Sequence, residues 1–226
     1  MTSDQVLDWD GAYRGEAGFE ATPPWNIGEP QPELAALHRA GKFESDVLDA
    51  GCGHAELSLT LASDGYTVVG LDLSPTAIAA ANSAAQVRGL STASFAQADI
   101  TSFTGYDSRF NTVVDSTLFH SLPVEGRDGY LQSIHRASAP GAHLYVLVFA
   151  KGAFPAEVET KPNEVSEDEL RDAVSKYWVV DEIRPAFIHA NGMALPTDAP
   201  FELPPHDRDE KGRIKFPAFL LTAHKA

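Results

Sequence analysis

The chain has 226 residues, 43% of them apolar and 22% charged, ordinary proportions for one globular domain with a sizeable core. Thirty-two acidic against seventeen basic residues leave a formal charge of −15, a surface that repels nucleic-acid phosphates and anionic lipid headgroups. No apolar run nears the ~20 residues of a bilayer span, and the lone cysteine, Cys52, excludes an internal disulfide and fits a reducing cytoplasm.

Met1 to Gln5 lacks the basic patch and apolar run of a signal peptide. Residues 1–32 are rich in Gly, Pro and aromatics, and the prolines of the 23–32 run forbid a continuous helix there. A short amphipathic helix is expected from Glu33 to Gly41. Val47–Ala50 reads as a buried strand, Gly51-Cys52-Gly53 as the tight turn after it, and His54–Asp64 as a helix stopped by Gly65. Thr67–Leu71 is the second strand; Ser74-Pro75 then supplies a cap and a proline in the first turn of a helix that runs to Arg88 and closes at Gly89. Ser94–Ala98 and Asn111–Asp115 read as strands three and four. A helix over Gly126–Ala139 is expected to stop at Pro140-Gly141, before a fifth strand over His143–Phe149. Two more strands, Trp178–Ile188 and Phe216–Ala223, flank a long Pro-rich loop at 190–215, of a length more often functional than idle. Strands alternating with helices predict an α/β fold: a Rossmann-like seven-stranded sheet, mostly parallel with an antiparallel C-terminal strand and helices on both faces.

Four carboxylates fall at the carboxyl ends of the expected strands, where open α/β sheets bind ligands. Asp49 opens the Asp49-Ala50-Gly51-Cys52-Gly53 turn, whose glycines let backbone approach a ligand. Glu56 stands where a dinucleotide fingerprint has its third glycine, and a negative charge there argues against a pyrophosphate. Asp72, with Leu73 beside it, is placed to accept ribose hydroxyls; Asp99, beside the apolar Ile100, to accept from an adenine amino group. Asp115-Ser116 is expected at the mouth of the site. His120, just after strand four, is the candidate general base. Cys52 reads as the small residue of the turn, and the eight histidines show no metal-ligand spacing, so no metal is expected.

The Asp-x-Gly-x-Gly turn, the acid ending strand two, the Asp99-Ile100 pair and the added C-terminal strands together resemble class I S-adenosylmethionine-dependent methyltransferases. Trp9-x-x-x-Tyr13 and Pro24-Trp25-Asn26-Ile27-Gly28 are similar to the thiopurine, thiol and halide branch, and to bacterial methyltransferases of heterocyclic toxins such as hydroxyquinolones. Asn26 departs from the commoner Trp-Asp pair of that branch. The resemblance implies S-adenosylmethionine as cofactor, S-adenosylhomocysteine as its product, and Trp9, Tyr13 and Trp25 closing over it. It divides one domain, 1–226, into an arm and helix (1–43), a cofactor core (44–150) and substrate-side loops with the last strands (151–226). Ile27, Gln31, Phe119, His120 and Phe154, with Met193, Leu195 and Phe201, are the apolar or adjacent groups expected to receive a small aromatic acceptor, acted on by a monomer or homodimer. An NAD-dependent oxidoreductase and a non-catalytic cofactor-binding protein are the competing readings. Ser116-Thr117-Leu118-Phe119-His120 lacks the Asn-Pro-Pro-aromatic segment of base-flipping methyltransferases.

Overall fold

The computed structural model describes residues 8–16, 23–155, 162–192 and 207–226. Its centre is β1 (Val47–Ala50), every residue of which is buried, as a strand covered on both faces must be. It pairs in parallel with β2 (Val68–Asp72) and with β4 (Phe110–Ser116); β3 (Ala93–Gln97) extends the sheet beyond β2. β5 (Ser138–Phe149) continues it beyond β4, and β7 (Ile214–His224) runs antiparallel between β5 and β6 (Val179–Ala190). The order β3-β2-β1-β4-β5-β7-β6 reverses direction between β1 and β4, which puts the switch-point crevice at their carboxyl ends.

Strand parity divides the core. Leu48 and Val113 face α5 (Arg127–Ala137) and α6 (Glu167–Val174), meeting Leu131, Ile134 and Leu170. Val47 and Val114 face α2 (Pro32–Arg39) and α3 (Glu56–Ser63), meeting Leu34, Leu57 and Leu61. α4 (Pro75–Arg88) starts where Ser74 caps it, its hydroxyl accepting from Ala77 N at 3.1 Å, and stops at the left-handed Gly89.

Three elements differ from the sequence expectation. The arm holds a one-turn helix, α1 (Trp9–Tyr13), ahead of its prolines. Pro140-Gly141 does not stop α5, which ends at Ala137; it lies in an irregularity of β5, where the register passes from Phe110↔Ser138 to Thr112↔His143 and Gly141 takes φ +76°. α6 was not expected, although Ser166 and Glu169 form a reciprocal capping box that the sequence spells out. Among the described residues, no helix is long and apolar enough to cross a membrane.

Candidate active site

The turn after β1 is held to β2 from both sides. Leu71 O accepts from Gly51 N at 2.8 Å and Cys52 N at 3.0 Å, and Asp72 Oδ2 accepts from Gly53 N at 2.9 Å. Gly51 and Gly53 have φ of +67° and +52°; a Cβ would stand 2.8 Å from Leu118 Cδ1 at the first and 2.5 Å from the Tyr13 hydroxyl at the second. Packing and dihedral both demand glycine. Two non-glycine residues at the same rim, Ala55 (φ +62°) and Thr117 (φ +76°), also sit in the left-handed region, the kind of backbone strain that gathers at functional sites.

The arm docks over this turn. Asp10 Oδ1 accepts from Ser74 Oγ at 2.5 Å and Thr76 N at 3.1 Å, fastening α1 to the start of α4. The Trp25 side chain hydrogen-bonds to the Tyr13 hydroxyl, and Trp9 meets Trp25 edge to face at 5.8 Å. Farther along, Asn191 donates to Pro24 O and Asn26 O, while Glu29 pairs with Lys211 and Arg213. Between arm and turn lies a cleft with Tyr13, Trp25 and Ile27 on one wall and Asp49, His54 and Ser116 on the other.

Of the expected cofactor residues, Asp49, Gly51, Cys52, Gly53, Tyr13, Trp25 and Ser116 line this cleft, and Trp9 backs Trp25. Asp72 ends β2 across the turn, its two oxygens each accepting one backbone N–H, from Gly53 and Ser74. Leu73 beside it is 58% exposed. Asp99 stands exposed beyond β3, accepting from Thr101 N and Oγ1, while Ile100 is buried in the core. Burial pushes the Cys52 thiol well up, which suits a spacer and not a nucleophile.

Five side chains depart from their expected roles. Asp115 is not at the mouth: it is fully buried, taking Leu118 N and Phe119 N on Oδ1 and the Tyr130 hydroxyl on Oδ2. Phe119 is a core residue at 0% exposure, packed on Tyr130 beneath the Arg127 guanidinium. His120 is buried, and its Nδ1 accepts from Phe149 N at 3.2 Å. Burial and the Arg127 charge pull its pKa down to about 3, too weak for the expected general base. Gln31 reaches the cleft, but its amide is spent on both main-chain groups of His189. Phe154 packs on Phe149 and Phe216 and does not line the cleft. Met193, Leu195 and Phe201 lie outside the described residues.

Sequence reasoning missed His54, Asn26, Asp10 and Glu29. His54 follows directly on the glycine turn, a position that had to face any ligand the turn cradles. Glu56, read as a charge facing the ligand, in fact pairs with Arg88 of α4.

Burial pushes Asp49 up to about 6 despite a 2.6 Å hydrogen bond from Ser58, and raises Asp72 despite its backbone donors. Among the described residues neither makes an ion pair. Two desolvated carboxylates flanking a glycine turn make a site suited to a cationic ligand.

A methyltransferase-domain family model matches residues 42–189. The chain belongs to the methyltransferase family. Its methyltransferase relatives include the 2-heptyl-1-hydroxyquinolin-4(1H)-one methyltransferase of Mycobacteroides abscessus, 51% identical over 227 residues and covering all of both chains. A solved structure from work on conversion of a disulfide bond into a thioacetal group during echinomycin biosynthesis is 36% identical, with a TM-score of 0.80 over 97% of this chain and 92% of its own. The Burkholderia thailandensis 1,6-didemethyltoxoflavin-N1-methyltransferase, solved with its acceptor and S-adenosylhomocysteine, shares the fold: TM-score 0.61, 20% identity, 86% and 77% coverage. The cleft lies at the β1–β4 switch point, the position where open α/β sheets bind ligands.

Proposed function

We propose that this methyltransferase moves the methyl group of S-adenosylmethionine onto an ionisable oxygen, nitrogen or sulfur of a small aromatic heterocycle, with 1-hydroxyquinolin-4-ones the first class to try. The full-length 51% match to a hydroxyquinolone methyltransferase carries this reading. The residues fit the cofactor. Asp72 keeps lone pairs on both oxygens for paired ribose hydroxyls, and exposed Leu73 offers a face for a flat base. When bound, S-adenosylmethionine supplies a methyl group on a positive sulfonium that is already activated for displacement. Trp25 and Tyr13 border the cleft with aromatic faces suited to that charge, and Asp49 adds a buried carboxylate. What remains for the protein is to hold the acceptor in line, with Ile27 and Ser116 bordering the space.

We assign no strong base to the acceptor among the described residues. An acidic hydroxyl or thiol reaches its nucleophilic form unaided at neutral pH, so kcat/KM will follow the acceptor's own ionisation. His120→Ala will lower kcat/KM less than about tenfold in a pH–rate comparison with the native enzyme. A loss in the 10²–10⁴ range of a missing general base, with folding and cofactor binding intact, would restore His120 to catalysis.

A further inference from the structure

We propose that His54 is a positioning residue for the carboxylate of the cofactor's amino-acid tail, and that Asn26 holds it as a neutral hydrogen-bond donor. This role rests on the S-adenosylmethionine reading above and adds the group that grips its far end.

The tautomer follows from hydrogen-bond bookkeeping. Gly28 N donates to Asn26 Oδ1 at 3.2 Å, so the amide oxygen is identified and the amide nitrogen faces His54. That nitrogen lies 2.9 Å from His54 Nδ1. An amide nitrogen only donates; Nδ1 must therefore accept, and the ring proton resides on Nε2. Protonating Nδ1 would set two donors against each other. Burial lowers the pKa of the ring in the same sense, against the weaker pull of Glu56 and Asp72. The Tyr13 ring, edge to face at 5.0 Å, fixes the imidazole plane.

The charges of the cleft leave His54 this task. With its nucleoside held by Asp72 at the end of β2, the cofactor would have its tail on the β1–β4 side of the glycine turn, where the cleft lies. The tail is a zwitterion. Asp49, buried and without an ion pair, suits its ammonium group. Its carboxylate needs donors in a lining whose described residues include three acids and no Lys or Arg. Glu29 and Glu56 are already paired, with Lys211 and Arg213 and with Arg88. Among the described residues, His54 is the one basic side chain lining the cleft, beside the start of α3, which has no side-chain cap.

Titration calorimetry with two ligands isolates the role: S-adenosylhomocysteine, which has the amino-acid tail, and 5′-methylthioadenosine, which keeps nucleoside and sulfur without it. His54→Ala will weaken the first roughly ten- to hundredfold and the second less than about twofold, the scale of one lost hydrogen bond to a charged group. His54→Gln, whose amide nitrogen can stand in for Nε2–H, will hold the first within a few-fold of native. Nitrogen-15 NMR of the native imidazole will show Nε2 protonated and Nδ1 bare, and Asn26→Asp will raise the His54 pKa by giving Nδ1 a carboxylate partner. Equal losses for both ligands, no loss for either, or a proton on native Nδ1 would each overturn the proposal. Failure of the native protein to bind either ligand would bring down the cofactor reading and this role with it.

Discussion

Asp72→Ala will weaken S-adenosylhomocysteine binding in titration calorimetry by tenfold to more than a hundredfold. Losing hydrogen bonds to a charged acceptor costs about 1.5–3 kcal/mol, and this carboxylate is the one acid at the end of β2 with lone pairs to spare for a nucleoside. The same substitution frees Gly53 N and Ser74 N, so thermal unfolding belongs beside the titration. A retained unfolding transition with a weakened isotherm assigns the loss to the ligand. Asp72→Asn, with a single acceptor oxygen for two donors, will fall between. Unchanged affinity in Asp72→Ala would remove the central contact of the cofactor reading.

Asp115→Ala will destabilise the fold by about 3–5 kcal/mol in urea unfolding, because it orphans the Tyr130 hydroxyl and two main-chain N–H groups beneath the site, each costing about 1–3 kcal/mol when buried. Asp115→Asn will lose less: its amide oxygen can take both N–H donors and its nitrogen can donate to the Tyr130 oxygen, leaving only the hydroxyl proton without this acceptor. pH separates the two explanations. Burial raises the Asp115 pKa to about 7, so between the ordinary carboxylate value and that point the folded state keeps a proton the unfolded chain has released. Native stability relative to Asp115→Asn will therefore be greatest below about pH 4. It will fall as pH rises to about 7 by at most ~1.4 kcal/mol per unit, then level off. A pH-independent difference would mean that this carboxylate is not sealed as the structure has it.

Asp115 also shows where sequence stops short. Its place at the end of β4 was legible from the apolar run before it, but its direction depends on parity. Val113 and Asp115 share the face toward α5, where Tyr130 waits fifteen residues later. Gln31 is harder still, since its partner His189 lies 158 residues away. Local chemistry read well: the glycine turn, the Ser74-Pro75 start of α4 and the acid at the end of β2 are short-range devices whose geometry is fixed within a few residues. Asn26 looked like a flaw in the aromatic arm, because the tautomer it imposes on His54 exists only after the chain folds. The Ser166 and Glu169 capping box was there to be read, and α6 with it.

The proposed reaction is methyl transfer to a hydroxylated heterocycle. Incubating the protein with S-adenosylmethionine and 2-heptyl-1-hydroxyquinolin-4-one, and following both products by mass spectrometry, tests it directly. One methyl group added per acceptor and one S-adenosylhomocysteine formed for each are expected, at a rate that rises with the ionised fraction of the acceptor. No methylated product from this quinolone or from related phenols and thiols, with the cofactor demonstrably bound, would contradict it.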